Sequence, residues 1–160
     1  MAAWGIRIAT PPDAAALGAG LERLSADLGD AHRATAEELA QAMAGPVPPF
    51  RAQLAGSGAP PGGVVLYSPV FSTVAGGAGL YVSDLWVAEA ARGSGLGRRL
   101  LAAAARDARA QWGAGFLTLA VYEDSHRARA FYARLGFRPM TGQTRMILEE
   151  AGLKALEGEA

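Results

Sequence analysis

Apolar positions recur along this chain in two periods, one near 3.6 and one near 2, and the switches between them outline its elements. Leu17, Leu21, Leu24 and Leu28 fall three or four apart, which predicts a helix from the turn Thr10-Pro-Pro-Asp13 to about Leu28. Thr35-Ala-Glu-Glu38 has capping-box spacing and opens a short second helix that ends near Gly45-Pro46. Leu96, Leu100, Leu101, Ala104, Ala105, Ala108 and Trp112 share one face of a third helix, whose other faces carry Arg98, Arg99, Arg106 and Arg109. Gly113 to Gly115 stop it. Ser125 to Leu135 reads as a fourth helix capped by Gly136, and a short helix ends the chain. The shorter runs Gly5 to Ala9, Phe50 to Leu54, Gly63 to Val70, Leu80 to Val87, Phe116 to Val121 and Thr144 to Leu148 read as strands. Gly56 to Gly63 is a turn too short to separate domains, so the runs beside it pair as a hairpin. Leu80 to Val87, rich in Tyr, Val, Leu and Trp, is the buried central strand.

Helices alternating with strands over 160 residues, 51% of them hydrophobic, predict one α/β domain spanning 1–160. The formal net charge is zero, so composition lacks the basic footprint of a nucleic-acid binder, and no nucleic acid is expected as a partner. All basic residues except Lys154 are arginines, which suits planar contact with phosphate or carboxylate and equally suits codon bias. Cysteine is absent, which removes disulfides, thiolate ligands and an acyl-cysteine intermediate. His32 and His126 stand apart from any carboxylate cluster, so no metal is expected. Met1 to Thr10 lacks the basic start and apolar core of a signal peptide, and no stretch reaches 18 apolar residues. The expectation is a cytoplasmic protein with no membrane association.

One run carries recognisable chemistry. Arg92-Gly-Ser-Gly-Leu-Gly-Arg-Arg99 lies between the strongest strand and the strongest helix, where unpaired N–H groups and the helix dipole make an anion site. Gly93, Gly95 and Gly97 place no Cβ between those groups and a diphosphate. A turn needed only for tight strand-to-helix geometry would also use glycine. The Walker loop is excluded because Arg-Arg follows the last glycine, and the dinucleotide fingerprint is excluded by the Gly-x-Gly-x-Gly spacing and by distance from the first strand.

Arg92, Gly95 and Gly97 resemble the Arg/Gln-x-x-Gly-x-Gly/Ala signature of the GNAT superfamily of acetyl-coenzyme A-dependent N-acetyltransferases. Ser125-His-Arg-Ala-Arg-Ala-Phe-Tyr-Ala-Arg-Leu-Gly-Phe137 is similar to that family's later helix, Asn-x-x-Ala-x-x-Phe-Tyr-x-x-x-Gly-Phe, with Ser125 replacing the Asn. The chain also resembles, more loosely, the spermidine/spermine and thialysine acetyltransferase branch in its Ile-Arg-x-Ala-Thr start, its Leu80-Tyr-Val-Ser-Asp-Leu-Trp-Val87 strand and its Arg-Met-Ile-Leu tail. It departs from that branch at Ser83, where an acidic residue is usual, and at Val74, Ala75 and Gly76, where acidic and aromatic residues hold a polyamine.

The resemblance implies a mixed, mainly antiparallel central sheet of about six or seven strands flanked by helices. It implies acetyl-CoA as cosubstrate, direct transfer to a small primary amine, and a possible homodimer. Leu85, Trp86 and Val87 would offer backbone to the pantetheine arm, with the Val87 N–H facing the thioester carbonyl. Trp86's side chain reads as packing. Arg92, Gly93, Ser94, Gly95, Leu96, Gly97 and Arg98 would cradle the phosphates, with Ser125 also at the cofactor. Tyr132 would protonate the leaving thiolate, or else pack with Phe131 as an ordinary core aromatic. Asp84 and Ser83 would relay the amine proton, Asp84 otherwise serving as a hydrogen-bond anchor. Arg127 and Arg129 either reach the adenosine phosphates or are solvated charges. A protein amino group as acceptor, and a coenzyme A-binding regulatory module without turnover, are the alternatives.

Overall fold

The structure, a computed structural model, describes residues 4–158. The ends of the expected 1–160 domain, and the first part of the Met1–Thr10 stretch, lie outside the described residues. Two compact units meet in sequence between Tyr122 and Glu123.

The first unit contains β1 (Ile6–Ile8), α1 (Ala14–Leu28), α2 (Ala36–Ala44), β2 (Arg51–Ala55), β3 (Gly63–Ser72), β4 (Gly77–Val87), α3 (Leu96–Trp112) and β5 (Leu117–Leu119). The strands form one sheet in the order β1-β2-β3-β4-β5. Neighbours from β1 to β4 are antiparallel and joined by turns or by the α1–α2 segment, whereas β4 and β5 are parallel and need the α3 crossover between them. Local sequence sets the helix ends. Thr35 Oγ1 accepts from the Glu38 N–H at 3.2 Å while Glu38 accepts from the Thr35 N–H at 2.8 Å, closing the capping box.

Alternation along the strands divides the core in two. Ala52, Leu54, Val64 and Trp86 join Leu17, Leu21 and Leu39 on the face covered by α1 and α2. The other face meets α3. There Gly63 lets the helix approach, because a Cβ at this position would lie 2.8 Å from Leu100 Cδ1 and 2.9 Å from the Trp86 carbonyl oxygen. The second neighbour is backbone and cannot turn aside, so Gly63→Ala is expected to destabilise the unit by about 1–3 kcal/mol, read as a lowered urea midpoint with unchanged slope.

The same face carries a polar cluster. Arg51 holds Asp107 of α3 through Nε at 2.5 Å and Nη2 at 2.8 Å, Tyr67 donates its hydroxyl to Asp107 at 2.6 Å, and buried Gln53 donates to the Tyr67 oxygen at 3.1 Å. One carboxylate thus fastens α3 to β2 and β3.

The second unit contains α4 (His126–Arg134) and α5 (Glu150–Gly158). Gly136, with φ 94°, ends α4, and its N–H donates to the Ala133 carbonyl. The strand expected over Thr144 to Leu148 does not form, and Met146 and Ile147 are 87% and 86% exposed. A strand needs a neighbour for its N–H and C=O groups, and the described residues of this unit contain no other strand. The described sheet therefore has five strands rather than six or seven. No helix among the described residues is long and apolar enough to cross a membrane.

Candidate active site

Strand β4, expected at the centre of the sheet, is fourth in the described order of five because no described strand lies beyond β5, and it is interrupted where the chemistry was expected. Leu66 pairs with Asp84 but its neighbour Tyr67 pairs with Val82, so Ser83 is the extra residue of a β-bulge in β4. A bulge reverses the parity of everything after it. Before it, Leu80 donates its N–H to the Phe116 carbonyl on the β5 side. After it, Ala88 donates its N–H to the Gly62 carbonyl on the β3 side, so alternation turns the N–H groups of Leu85 and Val87 toward the β5 side.

No strand among the described residues receives them. The β4–β5 ladder ends at Val82 and Leu119, and β5 stops there. The Leu85 and Val87 amides consequently have no acceptor among the described residues. This half of β4 is an open edge, able to pair with an extended ligand as one strand pairs with another.

The glycine turn follows directly. Gly93 and Gly95 both have φ 78°, a region side chains disfavour, and a Cβ at either would meet nothing within 4 Å. Their carbonyl and amide directions thus serve the turn and not packing. The Ser94 N–H reaches the Ala91 carbonyl at 3.4 Å and the Arg99 N–H reaches that of Gly95 at 3.1 Å. The amides of Gly93, Gly95, Leu96, Gly97 and Arg98 have no acceptor among the described residues. Four of these five belong to the cap and first turn of α3, where the helix dipole adds partial positive charge.

The arginines divide by what holds them. Arg92 donates Nε to the Val87 carbonyl at 3.0 Å and Nη2 to Asp27 at 2.8 Å, so its guanidinium braces the end of β4. Arg99 donates to the Trp4 carbonyl at 2.7 Å. Arg98 is exposed and has no such partner among the described residues, which leaves it available to an anion. Asp27, which the sequence pattern does not single out, also accepts the Trp86 indole N–H at 3.1 Å. The available signal was an acid in the last turn of α1, where the helix dipole disfavours it.

At the bulge, Ser83 donates its hydroxyl to Asp84 at 2.7 Å, and the Leu66 carbonyl stands at 3.5 Å as a weaker acceptor. Ser83 is exposed and Asp84 partly so, which keeps water within reach of both. Trp86 is buried on the α1 face as a packing residue.

In the second unit, Tyr132 is half-buried between Phe131 and Phe137, with ring centroids 5.2 and 5.3 Å away in edge-on geometry. Burial pushes its phenol above the ordinary value of 10. Its hydroxyl makes no hydrogen bond among the described residues. Ser125 is the N-cap residue of α4, but its side chain makes no cap bond. Arg129 donates to the Glu123 carbonyl at 2.9 Å. No cluster of three or more His, Cys, Asp or Glu side chains among the described residues is placed to hold a metal ion.

Three solved structures share the architecture. An integron cassette protein from the mobile metagenome of V. cholerae is 21% identical, with 98% of this chain and 99% of that one covered and a TM-score of 0.74. The ribosomal-protein-alanine N-acetyltransferase of Brucella melitensis biovar Abortus 2308 is 16% identical over 92% and 99%, with a TM-score of 0.70. An aminoglycoside acetyltransferase from an uncultured soil metagenomic sample is 14% identical over 91% and 96%, with a TM-score of 0.73. At these identities the likeness is one of fold. No curated protein sequence matches the chain. Residues 22–137, well over half of the chain, match the acetyltransferase (GNAT) family. With its interrupted β4 strand and glycine turn, the chain belongs to the GNAT family of acetyltransferases, which use acetyl-CoA as cosubstrate.

Proposed function

We propose that this protein, as one domain over 1–160, moves the acetyl group of acetyl-CoA directly to a primary amine on a small molecule. The observation that carries the reading is the succession along one stretch of chain of an open strand edge at Leu85 and Val87 and a row of free amides from Gly93 to Arg98. An extended arm ending in a diphosphate has complementary groups in the same order. Arg98 adds the free charge.

Acetyl-CoA supplies the thioester; the chain supplies the rest. The Val87 N–H answers the negative charge that develops on the carbonyl oxygen. Asp84 receives the amine proton through Ser83 and water, which replaces the acid usual at the Ser83 position. The new C–N bond forms as the C–S bond breaks, and the sulfur takes its proton from Tyr132. Ser125 begins the α4 helix that carries Tyr132, and in this reading it meets the cofactor. A cytoplasmic location and a homodimer belong to the same reading.

The test is free-thiol release from acetyl-CoA with a panel of spermidine, lysine, an aminoglycoside and a peptide with a free α-amino group. Release with a small amine is expected. Release with the peptide alone would move the acceptor to proteins, as in the Brucella enzyme's name. Tight acetyl-CoA binding with no release across the panel would make the chain a regulatory module, and no binding at all would overturn the reading.

A further inference from the structure

The end of α1 is fastened on both sides of the open edge. On one side Asp27 Oδ2 accepts from Arg92 Nη2 at 2.8 Å and from the buried Trp86 indole at 3.1 Å, and Arg92 in turn donates to the Val87 carbonyl at 3.0 Å. On the other side Asp30 accepts the Tyr122 hydroxyl at 3.0 Å on each carboxylate oxygen. Trp86 and Val87 end β4, while Tyr122 follows β5 by three residues. The segment 27–30 therefore bridges the end of β4 and the chain just past β5, beyond the point where their ladder stops.

Neither carboxylate is explained by helix formation. Asp27 occupies the last turn of α1, against the dipole, and Asp30 follows the Gly29 cap. Both bonds join residues distant in sequence, 65 apart for Asp27–Arg92 and 92 apart for Asp30–Tyr122. Both aspartates are exposed, so their pairs contribute little to overall stability and their effect is local.

We propose that Asp27 and Asp30 are positioning residues that set the width of the open β4 edge and the direction in which the glycine turn leaves it. Asp27 does this through Arg92. The guanidinium lies on the last carbonyl of β4 and is also the first residue of the turn, so fixing its far end fixes the angle between edge and turn. Two carboxylates three residues apart then hold α1 across the gap that an extended ligand must enter. The inference rests on the acetyl-CoA reading and adds a specificity element to it, since the strap selects for a ligand as narrow as a single extended chain.

The test is a double-mutant cycle on the full chain, using Asp27→Asn, Arg92→Gln and both together, with acetyl-CoA binding by calorimetry and steady-state rates on the amine found active. Asp30→Asn and Tyr122→Phe form a second cycle. Each single substitution is expected to raise the acetyl-CoA KM about tenfold while kcat changes far less, and each double is expected to be no worse than its worse single. Thermal melting separates misfolding from the proposed role, and Arg92→Gln, which keeps a residue type natural to the motif, guards against a variant that does not fold. Losses that add within each cycle, or a fall in kcat equal to the rise in KM, would overturn the proposal while leaving acetyl-CoA binding by the unmodified protein intact. Failure of the unmodified protein to bind acetyl-CoA would overturn the function reading and this inference together.

Discussion

Tyr132→Phe is expected to lower kcat about a hundredfold or more while leaving acetyl-CoA affinity nearly unchanged. The substitution removes only an oxygen. The ring keeps its edge-on contacts with Phe131 and Phe137, and the hydroxyl has no hydrogen-bond partner among the described residues that would be stranded by its loss. Stability should therefore hold, and the deficit should appear in turnover. The pH profile gives an independent reading. Burial raises the phenol above 10, so the proposed acid stays protonated through neutrality and its loss would belong to the alkaline limb above that value. The unmodified enzyme should show that limb in kcat, and Tyr132→Phe should lack it. Thiol release across pH together with calorimetry would check both points; equal losses in kcat and affinity would take the acid role away from Tyr132.

What could be read from sequence alone follows the distance over which each feature is determined. The Thr35–Glu38 box, the Gly113 and Gly136 caps and the turn from Arg92 to Gly97 depend on residues within one or two turns of each other, and all appear where the spacing puts them. Leu80 to Val87 was legible as a strand because its composition suits burial, but its place was not, since the sheet order makes β4 the fourth of five and not the centre. The bulge at Ser83 was not, because it is a property of register between β3 and β4 and leaves no mark in either strand by itself. Arg92 was read as a phosphate ligand from its neighbours, and nothing local signals that Asp27 takes its guanidinium. Thr144 to Leu148 has a strand's composition without a strand's partner, and composition cannot supply the second.

The same limit hid the cluster around Asp107, whose partners lie 40 and 56 residues away and fasten α3 to β2 and β3. Burial pushes the Asp107 carboxyl up, but the bonds from Arg51 and Tyr67 and the Arg51 charge outweigh it and hold it below the ordinary carboxylate value. On Tyr67 burial acts first, and the bond to Asp107 second, to raise the phenol. Asp107→Ala leaves Arg51 unpaired and the buried Tyr67 hydroxyl without its acceptor. Removing one partner of a fully buried pair costs about 3–5 kcal/mol; because Arg51 keeps 29% of its side-chain exposure, a loss of about 2 kcal/mol is expected, a fall of roughly 4–8 °C in Tm. Asp107→Asn, which still accepts from Tyr67, should lose less. The acid dependence has a definite sign. A carboxyl depressed in the folded state contributes stability that is complete above its unfolded value near 3.9 and is lost as pH falls through the lower folded value. The unmodified protein should therefore shed this contribution below about pH 4, and Asp107→Ala should show a shallower decline there, because the group that titrates is gone. Denaturant melts of both proteins at pH 7 and pH 3 measure the difference. If the gap between them does not narrow at pH 3, the bond to Arg51 is not what fastens α3 to the sheet.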